Sequence, residues 1–152
     1  MELKKYLDKN YTVEEQSNLI ELRCSVEGIT SLEGIEQLVK LEKLYCYENN
    51  LTSLKGIEGL VNLYWINCSD NKLISLKGIE QLTKLIFISC SHNNLISLRG
   101  IENLDKLEMI NCNNNPFPYS CLENFDKIKL DKIKLEVKKE IRQEKIQKML
   151  LL

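Results

Sequence analysis

Five cysteines, Cys24, Cys46, Cys68, Cys90 and Cys112, follow one another at intervals of 22 residues. Thiolates ligate metals, exchange disulfides and attack electrophiles, so such a row raises three chemistries at once. The single histidine, His92, stands two residues after Cys90 and completes a Cys-x-His pair, the composition of a thiol–imidazole dyad. A zinc site requires four ligands converging on one point, commonly including two closely spaced cysteines. Cysteines supplied singly, one every 22 residues, arrive in a line instead. The glycines are also single, so no glycine-rich phosphate loop is present. The acids Glu36, Glu58, Glu80 and Glu102 recur on one segment of the same period and are expected as solvated or capping residues rather than an acid–base pair.

The period belongs to far more than the cysteines. Leu22, Leu44, Ile66, Ile88 and Ile110 lie two residues before each Cys, and Leu19, Leu41, Leu63, Leu85 and Leu107 three earlier again. Asn49, Asn71, Asn93 and Asn115 lie three after, with Glu27 in the first copy. Leucines follow, then Gly34, Gly56, Gly78 and Gly100, each succeeded by Ile-Glu-x-Leu or Ile-Glu-Asn-Leu. The unit reads L-x-x-L-x-C-x-x-N-x-L-x-x-L-x-G-I-E-x-L-x-x. A unit of this size cannot bury its apolar face alone, so neighbours must stack into a common core.

This unit resembles the leucine-rich repeat, L-x-x-L-x-L-x-x-N-x-L. Its length and its Gly-Ile-Glu-x-Leu segment are similar to the 22-residue class seen in the regulatory subunit of protein phosphatase one and in internalins. Cysteine in place of the third leucine resembles the cysteine ladder of internalin J. The resemblance covers about Leu19 to Phe117. It implies an α/β solenoid: a short curved array with a parallel concave β-sheet, short helical or 3-10 convex segments and helical caps. It implies a binding scaffold without implying a partner.

Alternation in L-x-x-L-x-C makes a short strand with Leu and Cys inward. The thiols are then packing groups, raised in pKa by apolar burial and inert, with no bridges between neighbours. Cys121, outside the ladder, is expected to be more reactive. Cys90 points in while His92 sits at the turn end of the concave side, with no Asp or Asn expected to orient its ring. The asparagine amide can satisfy backbone groups as the chain leaves the strand, and stacking makes an asparagine ladder.

The ends must differ from the middle, because an open end leaves core and sheet edge in water. Residues 1–18 read as an N-terminal helical cap, with Leu3, Tyr6 and Leu7 at helical spacing and Thr12 with Glu15 as a capping box. Residues 19–117 hold about five repeats, and residues 118–152 an irregular last repeat and a helix. Asn115-Pro-Phe-Pro118 breaks the unit, and Leu122 to Ile128 echoes Ile101 to Leu107 at an offset of 21. Leu130-Asp-Lys-Ile133-Lys-Leu135 restores the strand spacing and is expected as a sixth strand, with Glu136 to Leu150 helical.

Outward strand positions carry the functional expectation. One column reads Glu21, Lys43, Trp65, Phe87, Met109, and the next Arg23, Tyr45, Asn67, Ser89, Asn111. A third reads Ser25, Tyr47, Ser69, Ser91, Asn113, and a fourth Val26, Glu48, Asp70, His92, Asn114. A sheet needs no Trp-Phe-Met row on its open side, and exposed apolar strips with polar neighbours mark interaction sites. Tyr45, Tyr47, Trp65, Phe87 and Met109 are therefore expected as anchors for a protein or peptide, with Asn67, Ser89, Asn111 and His92 supplying hydrogen bonds. No catalysis, cofactor or metal is expected. Two other readings stand beside this one: a thiol-dependent enzyme or redox protein using a ladder cysteine with His92, and a self-assembling protein joined through its last helix or its edges.

The net charge of −1 draws in neither nucleic acid nor membrane. Residues 126–148 hold nine Lys or Arg against five Asp or Glu, but no aromatic residue follows Phe125 to stack a base. No apolar run reaches a membrane span of about 20 residues. A charged start, Met-Glu-Leu-Lys-Lys, points to a cytoplasmic protein with reduced thiols.

Overall fold

The computed structural model describes residues 1–116 and 127–151; the Phe117–Pro118 break, Cys121 and the Leu122–Phe125 echo lie outside these described residues. Two helices open the chain, α1 (Leu3–Asn10) and α2 (Val13–Asn18). Five three-residue strands follow: β1 (Glu21–Arg23), β2 (Lys43–Tyr45), β3 (Trp65–Asn67), β4 (Phe87–Ser89) and β5 (Met109–Asn111). They form one parallel sheet in sequence order, paired residue for residue at the repeat distance, as in Leu44 with Ile66 and Ile66 with Ile88.

The centre strand residue and the cysteine point into the coil, and the residues between them point away, which is why Leu, Ile and Cys form the core there. The leucines and isoleucines of the return path close it from the other side, so one dry column runs the length of the array. The return path is tight. In each copy the Leu of Gly-Ile-Glu-x-Leu donates its N–H to the Ile carbonyl, from Leu38 to Ile35 at 2.9 Å and Leu104 to Ile101 at 3.1 Å. Only the first copy, Ile35–Gln37, is a regular 3-10 turn. The recurring glutamate is a local cap, its carboxylate accepting from the glycine N–H at 2.6–3.0 Å in all four copies. Gly56 has φ +107°, where an L side chain is strained, and a Cβ there would also crowd Ile35 Cγ2 of the previous copy at 3.0 Å.

The asparagines join copy to copy. Asn71 Nδ2 donates to the carbonyls of Cys46 (3.0 Å), Cys68 (3.2 Å) and Ser69 (3.1 Å), while its Oδ1 accepts from Leu51 N at 2.9 Å. Asn49, Asn93 and Asn115 make the corresponding bonds. Each amide thus spends its donors and its acceptor on two successive repeats, buried at Asn49, Asn71 and Asn93 and partly buried at Asn115. The residue before each asparagine (Val26 before Glu27 in the first copy) is left-handed, with φ 52–63° at Val26, Glu48, Asp70, His92 and Asn114. This kink turns the chain off the sheet, and the ladder holds even a β-branched valine in it.

The ends close as separate devices. Leu3 and Leu7 of α1 lie over the first repeat, and the Tyr6 hydroxyl donates to Arg23 O at 2.8 Å. The α2 helix starts on a complete capping box between Thr12 and Glu15, which lowers the Glu15 carboxyl pKa through the Thr12 backbone N–H and then its hydroxyl. At the far end the structure corrects the expected sixth strand. Residues 130–135 are helical, part of α3 (Lys127–Leu150). Leu130, Ile133 and Val137 share one helical face and are buried, with Ile141 continuing it; a strand would have turned Leu135 inward, and it is 53% exposed instead. Among the described residues, no helix is long and apolar enough to cross a membrane.

Replacing Asn71 by Ala strands the Leu51 N–H in the dry interior and leaves the Cys46 and Cys68 carbonyls with one amide donor each, from Asn49 and Asn93. Urea unfolding is expected to show a loss of about 3 kcal/mol, against under about 0.5 kcal/mol for exposed Asn50→Ala.

Candidate functional site

The thiols come first, because burial decides their chemistry. Cys24, Cys46, Cys68 and Cys90 are free and buried. Loss of solvation pushes the Cys24 and Cys68 thiols up to about 12 and those of Cys46 and Cys90 well above their ordinary value. The Cys68 thiol donates to Ser89 O at 3.3 Å. These are neutral packing groups, not nucleophiles. Cys112 departs from the expectation of reduced thiols throughout: it is disulfide-bonded. It follows directly on β5 and is buried, 1% exposed. Among the described residues no group of three or more His, Cys, Asp or Glu side chains could hold a metal ion.

His92 does have orienting neighbours, contrary to the reading of the sequence. Asn114 Nδ2 lies 2.8 Å from its Nε2, and Asp70 Oδ1 4.0 Å from its Nδ1. Both neighbours are its equivalents in the adjacent copies, 22 residues away on either side. The ring is exposed and engaged along the surface, while Cys90 is buried beneath the sheet, so the two make no dyad.

The concave row is where aromatic surface collects. Trp65 and Phe87, opposite each other on β3 and β4, stack with centroids 3.8 Å apart and planes at 19°. Rings stacked along the array stand upright from the sheet and present their edges to the hollow. Met109 continues the row, and Tyr45 and Tyr47 flank it, all partly buried. Arg23 covers the Tyr45 ring at 4.3 Å, and Lys43 lies 5.8 Å from the Tyr64 centroid. Tyr64, at the upstream edge of β3, belongs to the same surface and was not picked out from the sequence; its place one residue before the Trp column was the available signal.

The polar residues of the expected site divide. Asn67 and Asn111 each turn the carbonyl oxygen back to a backbone N–H two residues on, Ser69 at 3.2 Å and Asn113 at 3.4 Å, and stay partly exposed. Ser89 is corrected: only 5% exposed, its hydroxyl lies 2.6 Å from that of Ser69, which in turn accepts from Ser91 at 3.1 Å. A small residue between Asn67 and Asn111 on the adjacent strands sinks into the sheet, and its hydroxyl joins an internal chain. The indole N–H of Trp65 is covered and has no acceptor.

This surface, on a parallel coil with buried Cys and Asn ladders, defines a leucine-rich-repeat protein, and the chain's repeats are like those of internalins. The functional domain of InlJ from Listeria monocytogenes, which includes a cysteine ladder, is 32% identical, with the match covering 71% of this chain and 23% of that one at a TM-score of 0.63. A leucine-rich-repeat protein of Leptospira interrogans is 33% identical over 68% of this chain and 28% of its own, also at 0.63. An internalin (inlF) from L. monocytogenes is 25% identical over 59% and 26%, at 0.57. The matches thus span about a quarter of the length of those chains. No protein-family model and no curated protein matches the sequence.

The buried thiols set an alkaline limit. Unfolded thiols ionise near 9.0, whereas burial holds Cys24 and Cys68 protonated to about 12 and raises Cys46 and Cys90 in the same direction. Their contribution to stability is full below about pH 9 and drains as pH rises toward 12. Urea midpoints measured from about pH 8 to 11 should fall steeply, and a Cys46→Ala, Cys68→Ala variant, weaker at neutral pH, should show a shallower fall.

Proposed function

We propose that the chain is a protein-binding module without catalysis of its own, taking a partner protein or peptide on the concave sheet. The observation that carries this reading is the upright Trp65–Phe87 stack, continued by Met109 and flanked by Tyr45 and Tyr47. The fold does not require these side chains, because the core is already closed by the opposite faces of the same strands. Large apolar anchors inside a polar rim are the usual source of interface affinity. Asn67, Asn111 and His92 form that rim. The unpartnered Trp65 N–H is a donor that a small turn of the indole would offer to a partner's carbonyl. The elevated thiol pKa values and the separation of Cys90 from His92 weigh against the thiol-enzyme reading.

Trp65→Ala is expected to weaken partner binding by about 2 kcal/mol or more, roughly 30-fold, without lowering stability comparably. Capture from a lysate of the source cell by the intact chain and by the Trp65→Ala, Phe87→Ala variant makes the comparison. A partner held equally by both would remove the concave strip from the function.

A further inference from the structure

The second half of α3 faces the wrong way for a helix that belongs only to its own molecule. Its first half docks through Leu130, Ile133 and Val137. From Glu140 on a polar side turns to the array: Glu140, Gln143, Glu144 and Gln147 line a groove of about 620 Å³ against Ile74 and Ile96. Arg99 ties this side down through a 2.6 Å ion pair with Glu144. The apolar residues look outward instead. Ile146, Met149 and Leu150 are 49%, 74% and 80% exposed. Lys139, Arg142, Ile146, Met149 and Leu150 fall at i, i+3, i+7, i+10 and i+11, which places them on one helical face. That face is basic and apolar and carries no carboxylate.

The concave sheet is its counterpart. Over residues 42–48, 64–70, 86–92 and 108–114 there is one lysine, Lys43, against four carboxylates, Glu42, Glu48, Asp70 and Glu108. Glu42 and Glu108 stand at the upstream edge of the strands, and Glu48 and Asp70 at the downstream edge, with the aromatic row between. Six residues of extended chain separate the two acidic edges, about 20 Å, enough for a helix about 10–12 Å across.

We propose that the concave sheet receives the outer face of α3 from a second copy of this chain. Ile146 and Met149 of one copy lie on the Trp65 and Phe87 ring edges of the other, a contact that suits a thioether. Lys139 and Arg142 meet the carboxylates of the edges. The contact joins unlike surfaces, so it builds either a reciprocal pair or a head-to-tail chain. This rests on the concave sheet being the binding face and names its occupant.

Trp65 is the only tryptophan, so the chain reports its own docking. Raising the concentration of the intact protein from about 1 to several hundred µM should shift its emission to the blue while sedimentation shows a mass above the monomer; salt should reverse both, since screening weakens the charge pairing. Ile146→Asp, Met149→Asp leaves a copy that receives but does not donate. Trp65→Ala, Phe87→Ala leaves a copy that donates but does not receive. Each alone should remain monomeric, and an equimolar mixture should form a one-to-one dimer with the blue shift restored. A monomeric intact protein with unchanged emission overturns the proposal, and so does association that survives in either variant alone. Neither result touches the concave-binding reading if a captured partner is still lost with Trp65 and Phe87.

Discussion

Each ladder asparagine holds two repeats with one amide. The strand carbonyl of its own copy and that of the copy before both accept from Nδ2, and the Oδ1 takes the N–H of the leucine that leads the earlier copy away. Repeats stacked through apolar contact alone would be free to slide, because leucine against isoleucine has no preferred register. The amide removes that freedom. It fixes where the chain leaves the sheet, forces the left-handed residue beside it, and so decides which side chains of the strand face the core and which the hollow. The location of Trp65, Phe87 and the buried thiols follows from it.

Most of this was legible because the chain states it four or five times over. Repetition turned weak local signals at Leu44, Cys46, Asn49 and Gly56 into a strong one, and the parallel sheet, the inward cysteines and the capping box at Thr12 all followed from ordinary spacing rules. Legibility ended where repetition ended. Leu130 to Leu135 carries strand spacing in letters, yet Leu130, Ile133 and Val137 also match a helical face, and only the shape of the exposed last repeat chose between them. The same limit hid the disulfide at Cys112. Within the site, the strand columns pair as read but the use of each polar group was not legible: Ser89, between two asparagines, is buried against Ser69, and His92 finds its partners in adjacent copies rather than adjacent residues.

The cysteines and the aromatic row are opposite sides of one strand, and they illustrate how burial separates chemistry from recognition. A residue type that carries catalysis elsewhere is silent here because the medium around it withholds ionisation. One residue along, on the open side, the same backbone displays side chains the coil has no use for. The last helix repeats the division at larger scale, docked by one half and presenting apolar surface with the other.

Residue-for-residue pairing at a constant interval has a genetic corollary. Cutting out or duplicating a whole 22-residue module between the two closing helices regenerates identical junctions, whereas gaining or losing a single codon inside a module throws that copy's asparagine bonds to its neighbour out of step. Length is therefore a quantity such a lineage can alter in jumps while residue spacing inside the module stays frozen. The breadth of the hollow, and with it the size of what the hollow can hold, then changes by counted steps of one strand.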